Sequence, residues 1–223
     1  MFSWLREYDF ENFHCREIVF FHDFILIVLA FTLVFILISL YSVFTNPKFS
    51  ALYNEGLEIE TLWTVVPILI LVFIFYPSIK LLKMGSGVGK DGKVIKIIGH
   101  QWYWEYRFLV ENEALRYGSY PVNTSDLDDE GSFMRCLYTS EVLLLKRESV
   151  KELNVSSEDV IHSFSLPSLG IKIDAVPGRI NNSVVDGLRK RFRLVSGQCS
   201  EICGVLHSKM PIWTFIFPYS HVV

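Results

Sequence analysis

The sequence predicts a two-helix transmembrane hairpin followed by an all-β sandwich domain, and three observations predict it. Two uncharged apolar runs, residues 24–46 and 61–79, lie within the first 80 of 223 residues. From about residue 92 the pattern changes to short β-prone runs that are separated by turn residues. Hydrophobic residues make up 51% of the chain and its mean hydropathy is +0.33, more than a soluble globular domain needs.

The two apolar runs are long enough to span a bilayer. The first has 23 residues, which as a helix reach about 35 Å across a hydrocarbon layer of about 30 Å. The second has 19 residues and contains Pro67, which favours a kink, and Pro77, which lies near its predicted end. Seven charged residues precede the first run, so a cleavable signal is disfavoured. The alternative is a buried hairpin in a soluble protein, but two such runs rarely occur together there.

We expect three parts in the chain: an N-terminal segment with the hairpin (1–84, spans at about 24–45 and 61–79), a glycine-rich linker (85–92) and a β domain (93–223). The linker does not match a phosphate-binding loop, because no Ser or Thr follows Lys90. Successive β-prone runs without a long helical stretch favour an antiparallel sandwich or barrel. Strands are predicted at 94–98, 102–110, 136–137 with 141–145, 150–155, 160–166, 170–175, 192–195 and 212–217.

The net charge of −3 comes entirely from the membrane part of the chain. Residues 1–84 carry five basic and eight acidic side chains, whereas the remainder carries 16 of each. This balance excludes a polybasic nucleic-acid-binding protein. Local acidic clusters at 111–113, 126–130 and 158–159 are either solvated faces or docking sites for a partner.

The segment GQCSEICGVLHSKMP, residues 197–211, predicts a metal site. It places Cys199, Cys203, His207 and Met210 at intervals of 4, 4 and 3, and His162 lies in a separate strand-like run. Thiolate and thioether donors suit copper, whereas a zinc site of two Cys and two His has little use for a methionine.

The second cysteine distinguishes between kinds of copper site. A mononuclear blue-copper site uses one Cys, so Cys199 and Cys203 together favour two bridging thiolates and two copper ions. Each ion would be capped by one His, with Met210 and a backbone carbonyl as weak ligands. A Cys199–Cys203 disulfide and a structural zinc site remain alternatives. Cys15 and Cys136 have no such neighbours and are expected to be ordinary small apolar residues.

Four motifs carry a family resemblance: FHD at 21–23, GHQWYWEY at 99–106, DVIHSF with LPSLGIKIDAVPGRIN at 159–181, and the metal loop. With them the chain resembles subunit II of the mitochondrial, haem–copper cytochrome c oxidases over nearly its whole length. The resemblance implies a cupredoxin-like Greek-key sandwich in the intermembrane space, anchored in the mitochondrial inner membrane. The implied partners are subunits I and III, further subunits of the oxidase and cytochrome c, with no nucleic acid among them.

The resemblance also implies roles for individual residues. Trp102 would receive electrons from cytochrome c, while Tyr103 and Trp104 would be structural. Glu60 would lie at the mouth of a proton channel, although an acidic residue before an apolar run is usually only a helix N-terminal charge. The binuclear CuA centre would be held by His162, Cys199, Cys203, His207, Met210 and the backbone carbonyl of Glu201, whose carboxylate would bind magnesium at the interface with subunit I.

The function that follows is electron entry into an oxidoreductase complex. Electrons from reduced cytochrome c would pass through the copper centre to the haem and copper centres of subunit I, and no oxygen chemistry would occur on this chain. Asp159 is a candidate to orient His162 through a hydrogen bond. Two rivals are a membrane-tethered copper-carrying module and a quinol oxidase subunit that has lost its copper; the intact ligand set argues against the second.

The sequence departs from the family pattern in places that affect docking and topology. Cytochrome c is steered by acidic groups in the family, but here Arg107 and a basic run at 189–193 lie in the domain, and Phe164 stands where a Trp is usual. Lysines after the second span would keep the domain inside under the positive-inside rule. We nevertheless expect the domain to lie in the intermembrane space, as the resemblance implies, because long domains translocate largely regardless of charge.

Overall fold

A computed structural model describes residues 12–46, 56–85, 93–110, 113–122, 138–146, 151–185, 188 and 193–217. The chain divides into two compact units, residues 17–83 and residues 1–16 with 84–223. Several predicted features lie outside the described residues. They are the acidic cluster at 126–130, the strand at 136–137 with Cys136, and the basic run at 189–193 except for its last residue.

Two long helices account for the apolar runs. Helix α1 spans Phe13–Thr45 and helix α2 spans Leu57–Gly85, so both extend beyond the predicted spans. Pro77, expected near a helix end, lies inside α2, which continues to Gly85. Large apolar side chains are exposed along both helices, as expected for segments whose solvent is lipid. Hydroxyl groups within the spans donate to carbonyls of the preceding turn, such as Thr32 to Leu29, so these polar groups are satisfied internally.

The described part of the β domain forms three sheets. Their strand orders are β3-β2-β1-β5-β8, β4-β10-β9 and β6-β7. The strands are β1 (Lys93–His100), β2 (Tyr103–Val110), β3 (Glu113–Ser119), β4 (Leu143–Lys146), β5 (Lys151–Ser157), β6 (His162–Leu166), β7 (Ile171–Ala175), β8 (Asn181–Val185), β9 (Arg193–Gln198) and β10 (Pro211–Phe217).

Strands β3 and β8 were not predicted from the sequence. Both lie at the edges of the five-stranded sheet, and edge strands carry more polar residues than central ones. The polar segments EALRYGS and NNSVV therefore lack the apolar alternation that identifies a buried strand.

The expectation of purely antiparallel sheets is wrong at two places. Strand β1 pairs with β5 in parallel, and β10 pairs with β4 in parallel, whereas the other pairings are antiparallel. Parallel neighbours need a long crossover connection, which local sequence patterns do not reveal. The predicted all-β sandwich itself is confirmed.

Inward-facing side chains of the three sheets share one core. Trp104 and Tyr106 of β2 are fully buried in it, together with residues of β5, β6 and β10. Phe164, at the position where the family usually has Trp, packs edge-to-face on Trp104, with ring centroids 5.2 Å apart. The tightly packed core thus lies directly beneath the first residue of β6, His162.

Candidate metal centre

Strand β9 leads the metal loop close to strand β6. A Cβ atom at Gly197 would lie 1.9 Å from the carbonyl oxygen of Ser165, so only glycine allows this approach. Beyond it, the Ser200 N–H donates to the Ser163 carbonyl at 3.0 Å. The Cys199 N–H donates to the Met210 carbonyl at 3.0 Å, which closes the loop at its two ends. These contacts bring residues distant in sequence to one place.

The loop directs its sulfur atoms towards one another. Cys199 Sγ and Cys203 Sγ are 4.0 Å apart, and Met210 Sδ lies 4.0 Å from Cys203 Sγ. His207 Nδ1 is 3.5 Å from Cys203 Sγ, and the Glu201 carbonyl oxygen is 3.3 Å from Cys199 Sγ. Both cysteines are free thiols, and a disulfide would need sulfurs about 2.05 Å apart.

His162 completes the cluster from strand β6. Its ring is fully buried, and its Nδ1, Cys199 Sγ and Cys203 Sγ form a group of ligand atoms within 4.8 Å of one another. Its Nε2–H donates to Asp159 Oδ1 at 2.8 Å, the contact expected from the sequence. Among the described residues, Nδ1 has no hydrogen-bond partner. The imidazole therefore presents a free Nδ1 lone pair while a carboxylate fixes its tautomer, the usual arrangement of a metal-ligating histidine.

The two thiols differ in acidity. Burial acts to raise the pKa of Cys199, but the neighbouring His162 imidazole and hydrogen bonds with the backbone outweigh it and lower the pKa to about 7. Burial, together with the neighbouring Cys199 thiolate, raises the pKa of Cys203 to about 12. Without a cation, only one thiolate forms readily, because a second negative charge in the buried site is unfavourable.

The residues fit a metal. A metal–thiolate bond is about 2.3 Å long, so one ion can bond both sulfurs across their 4.0 Å separation. A bound cation would also offset the repulsion between the two thiolates that keeps Cys203 protonated. It would give the His162 Nδ1 atom, which has no hydrogen-bond partner among the described residues, a bonding partner. The loop and strand β6 therefore bring together a Cys/His cluster with the donor atoms that a metal ion requires.

Comparison with known proteins places the chain in a family. The model of the cytochrome c oxidase subunit II periplasmic domain matches residues 93–215, and that of its transmembrane domain matches residues 13–81. The chain belongs to the cytochrome c oxidase subunit II family. It is accordingly an electron-entry subunit of cytochrome c oxidase, an oxidoreductase, as the sequence predicted.

One solved structure agrees with the assignment to subunit II. The periplasmic domain of subunit II of the cytochrome oxidase of Bradyrhizobium japonicum is 32% identical, with a TM-score of 0.50 over 60% of this chain and 88% of that chain. A subunit II of cytochrome c oxidase, in a mixed disulfide with a thioredoxin-like protein, is 31% identical, with a TM-score of 0.47 over 59% of this chain and 86% of that chain. The two family matches indicate a membrane protein with two spanning helices and one domain outside the membrane.

The other predicted site residues of this subunit II occupy different environments. Trp102 is half-buried beside the metal loop, and Trp104 is fully buried in the core. Tyr103 stacks between the rings of His100 and Tyr120. Glu60 lies in the first turn of α2, in the other compact unit, with an exposed side chain.

Arg107 changes the electrostatics that this subunit II offers to a partner. Its guanidinium donates to Glu105, and to Glu158 at 3.0 Å. The hydrogen bond from Arg107 is the largest influence on the Glu105 carboxyl and holds its pKa below the usual range. One acidic cluster of the sequence analysis, residues 158–159, is thus internally engaged, since Asp159 bonds His162.

Three site residues of this subunit II escaped the sequence reasoning. A Cβ at Gly99 would lie 2.9 Å from His162 Cδ2, and Gln101 donates from Nε2 to the Cys203 carbonyl at 2.8 Å. Gly204 follows Cys203 with φ of +121°. Gly99 and Gln101 belong to the GHQWYWEY motif, which was their only signal in the sequence. Their contacts with His162 and Cys203 lie 63 and 102 positions away, so local sequence patterns do not reveal them.

Proposed function

We propose that the site holds two copper ions as a binuclear CuA centre. The observation that carries this proposal is the pair of buried sulfurs 4.0 Å apart, with one imidazole approaching from β6 and another from the loop. Soft thiolate and thioether donors favour copper over zinc, and Met210 offers a third sulfur. The proposed ligands are His162, Cys199, Cys203, His207, Met210 and the backbone carbonyl of Glu201.

The protein residues hold this ligand set rigidly. Cys199 and Cys203 would supply bridging thiolates, and the hydrogen bond from His162 to Asp159 keeps the imidazole oriented. Copper, when bound, supplies a one-electron redox couple. The buried core around the site excludes water and resists rearrangement, which lowers the cost of a change in charge.

Electrons reach the site through Trp102 in the proposed route. The indole lies against Gly204, the residue after the ligand Cys203, and its ring is partly accessible from outside. Reduced cytochrome c is the proposed donor, and the haem and copper centres of subunit I are the proposed acceptors.

Further roles of the chain rest on the same family pattern. Glu201 directs its carbonyl towards Cys199 while its side chain is exposed, which supports magnesium binding by its carboxylate at a boundary with subunit I. Glu60 is proposed to lie at the mouth of a proton channel. The proposed location is the mitochondrial inner membrane, with the copper domain in the intermembrane space and subunits I and III as neighbours.

The test is copper stoichiometry combined with electron-spin resonance of the purified oxidase. Two copper ions per chain at this site, with one unpaired electron shared equally between them, would support the binuclear centre. One ion per chain, or an electron localised on one ion, would contradict it and leave a mononuclear or copper-carrying site. Cys199→Ser and Cys203→Ser should each abolish the shared signal, because either change removes a bridging thiolate.

A further inference from the structure

The turn between β1 and β2 is bonded to the metal loop. Gln101 donates from Nε2 to the carbonyl oxygen of Cys203 at 2.8 Å, although 102 positions separate the two residues. This carbonyl belongs to one of the two buried cysteines of the site. The hydrogen bond therefore ties the residue before Trp102 to the backbone of a proposed copper ligand.

The same turn is also tied to the histidine on strand β6. The backbone N–H of Gln101 donates to Asp159 Oδ2 at 2.6 Å, while Asp159 Oδ1 accepts from His162 Nε2 at 2.8 Å. Gln101 thus contacts the metal loop through its side chain. Through its backbone N–H it shares the Asp159 carboxylate with His162 of strand β6. The turn is anchored to both halves of the ligand set.

The Trp102 indole rests on the metal loop at Gly204. A Cβ at Gly204 would lie 3.2 Å from Trp102 Cζ2, 3.3 Å from its Nε1 and 3.3 Å from Gln101 Nε2. The absence of a side chain at Gly204 therefore allows the ring to approach the loop backbone. The indole N–H is buried and has no hydrogen-bond partner among the described residues. Within the described part of the chain, packing against the loop and the geometry of the turn hold the ring.

We propose that Gln101 is a positioning residue for electron transfer, because its hydrogen bond to Cys203 holds the Trp102 indole against the Cys203–Gly204 segment. The proposal rests on the proposed role of Trp102. One electron leaves cytochrome c, which is oxidised, and one arrives at the thiolate-bound metal site, which is reduced. No bond forms or breaks and no proton moves. Electronic coupling falls steeply with the width of a van der Waals gap, so a small displacement of the ring slows the step.

The test compares two glutamines that bond the same loop. Gln101→Met keeps the length of the side chain but removes its N–H donor. Gln198→Met is the matched control, because Gln198 also donates from Nε2 to a loop carbonyl, that of Ser208, at 2.8 Å, but is not part of the turn that carries Trp102. Both variants are made in the complete oxidase, and the rapid phase of electron transfer from reduced cytochrome c is measured by stopped flow, with the electron-spin spectrum of each variant.

Gln101→Met should slow the rapid phase by about tenfold, since misplacement by about 1 Å can cost up to 10²-fold. Its electron-spin spectrum and copper content should equal those of the wild type, and Gln198→Met should match the wild type in all three measurements. Combining Gln101→Met with Trp102→Phe should add little to the loss caused by Trp102→Phe alone.

Three results would overturn the positioning role. If Trp102→Phe slows transfer but Gln101→Met does not, the proposed route stands and this inference fails. If Gln101→Met alters the spin spectrum or releases copper, Gln101 holds the metal loop itself and does not act through the ring. If Trp102→Phe leaves the rate unchanged, the proposed route fails first, and the positioning role fails with it.

Discussion

Replacement of Gly99 by alanine should damage the proposed metal centre although it leaves every proposed ligand in the sequence. Gly99 lies in β1 directly beneath His162, and its backbone is that of a strand, which alanine adopts freely. The new Cβ would lie 2.9 Å from Cδ2, 3.1 Å from Cγ and 3.2 Å from Cβ of His162. Ordinary van der Waals contact begins near 3.4 Å, so the ring must move by about 0.5 Å.

The imidazole cannot make this movement easily. It is fully buried, bonded to Asp159 at 2.8 Å and fixed by the pairing of β6 with β7. Overpacking of this kind costs about 1–3 kcal/mol, which for a chain of this size lowers the melting temperature by about 2–12 °C. A shift of about 0.5 Å also exceeds the tolerance of about 0.2 Å on a metal–ligand distance. We therefore expect copper affinity to fall by about 10- to 100-fold.

Chelator competition and thermal unfolding of the detergent-solubilised chain measure both effects. Gly118→Ala is the matched control: a Cβ there would lie 2.8 Å from Tyr120, but that ring is half exposed and can turn away. The control should change stability by less than about 0.5 kcal/mol and leave copper affinity unchanged. If Gly99→Ala leaves both the copper affinity and the melting temperature unchanged, close packing of strand β1 at Gly99 does not hold the His162 ring in position.

Three further predictions concern charge near the site. Asp159→Asn should lower copper affinity by about 10- to 100-fold, because the amide is a weaker acceptor for the imidazole N–H; wild-type affinity by chelator competition would contradict this. Burial acts to lower the pKa of His162. The hydrogen bond with Asp159 and the neighbouring Cys199 thiolate outweigh burial and raise the pKa above 6.5. Protonation of His162 therefore stabilises the metal-free fold fully below pH 6.5, and this stability is lost as pH rises through the folded pKa. Copper uptake should strengthen over that same rise, and a flat affinity profile between pH 5.5 and 8 would exclude proton competition at this ring. Arg107→Ala frees the carboxylates of Glu105 and Glu158 from their ion pairs with the guanidinium. At low ionic strength this change should speed association with a basic cytochrome c by about two- to fivefold. Arg179→Ala removes an equal charge from an exposed turn, and an equal gain there would mean that only net charge matters.

The proposed ligand set could be named from the sequence because chemistry and spacing coincide within one short segment. Cys199, Cys203, His207 and Met210 fall within twelve residues, and few sites use two thiolates, an imidazole and a thioether together. The apolar runs were equally readable, since a bilayer sets a minimum length that a continuous stretch must meet. The edge strands β3 and β8 were missed because EALRYGS and NNSVV contain too few apolar residues to show the alternation of a half-buried strand.

The sequence by itself determined the kinds of donor atom, the two spans and the family to which the chain belongs. The tertiary structure decided how those donors are held. Only the fold brings Gly99 beneath His162, Gln101 onto the Cys203 carbonyl and the Arg107 guanidinium onto Glu158. The physical reason is that such contacts depend on strand register and on crossovers between distant segments, including the parallel pairing of β1 with β5.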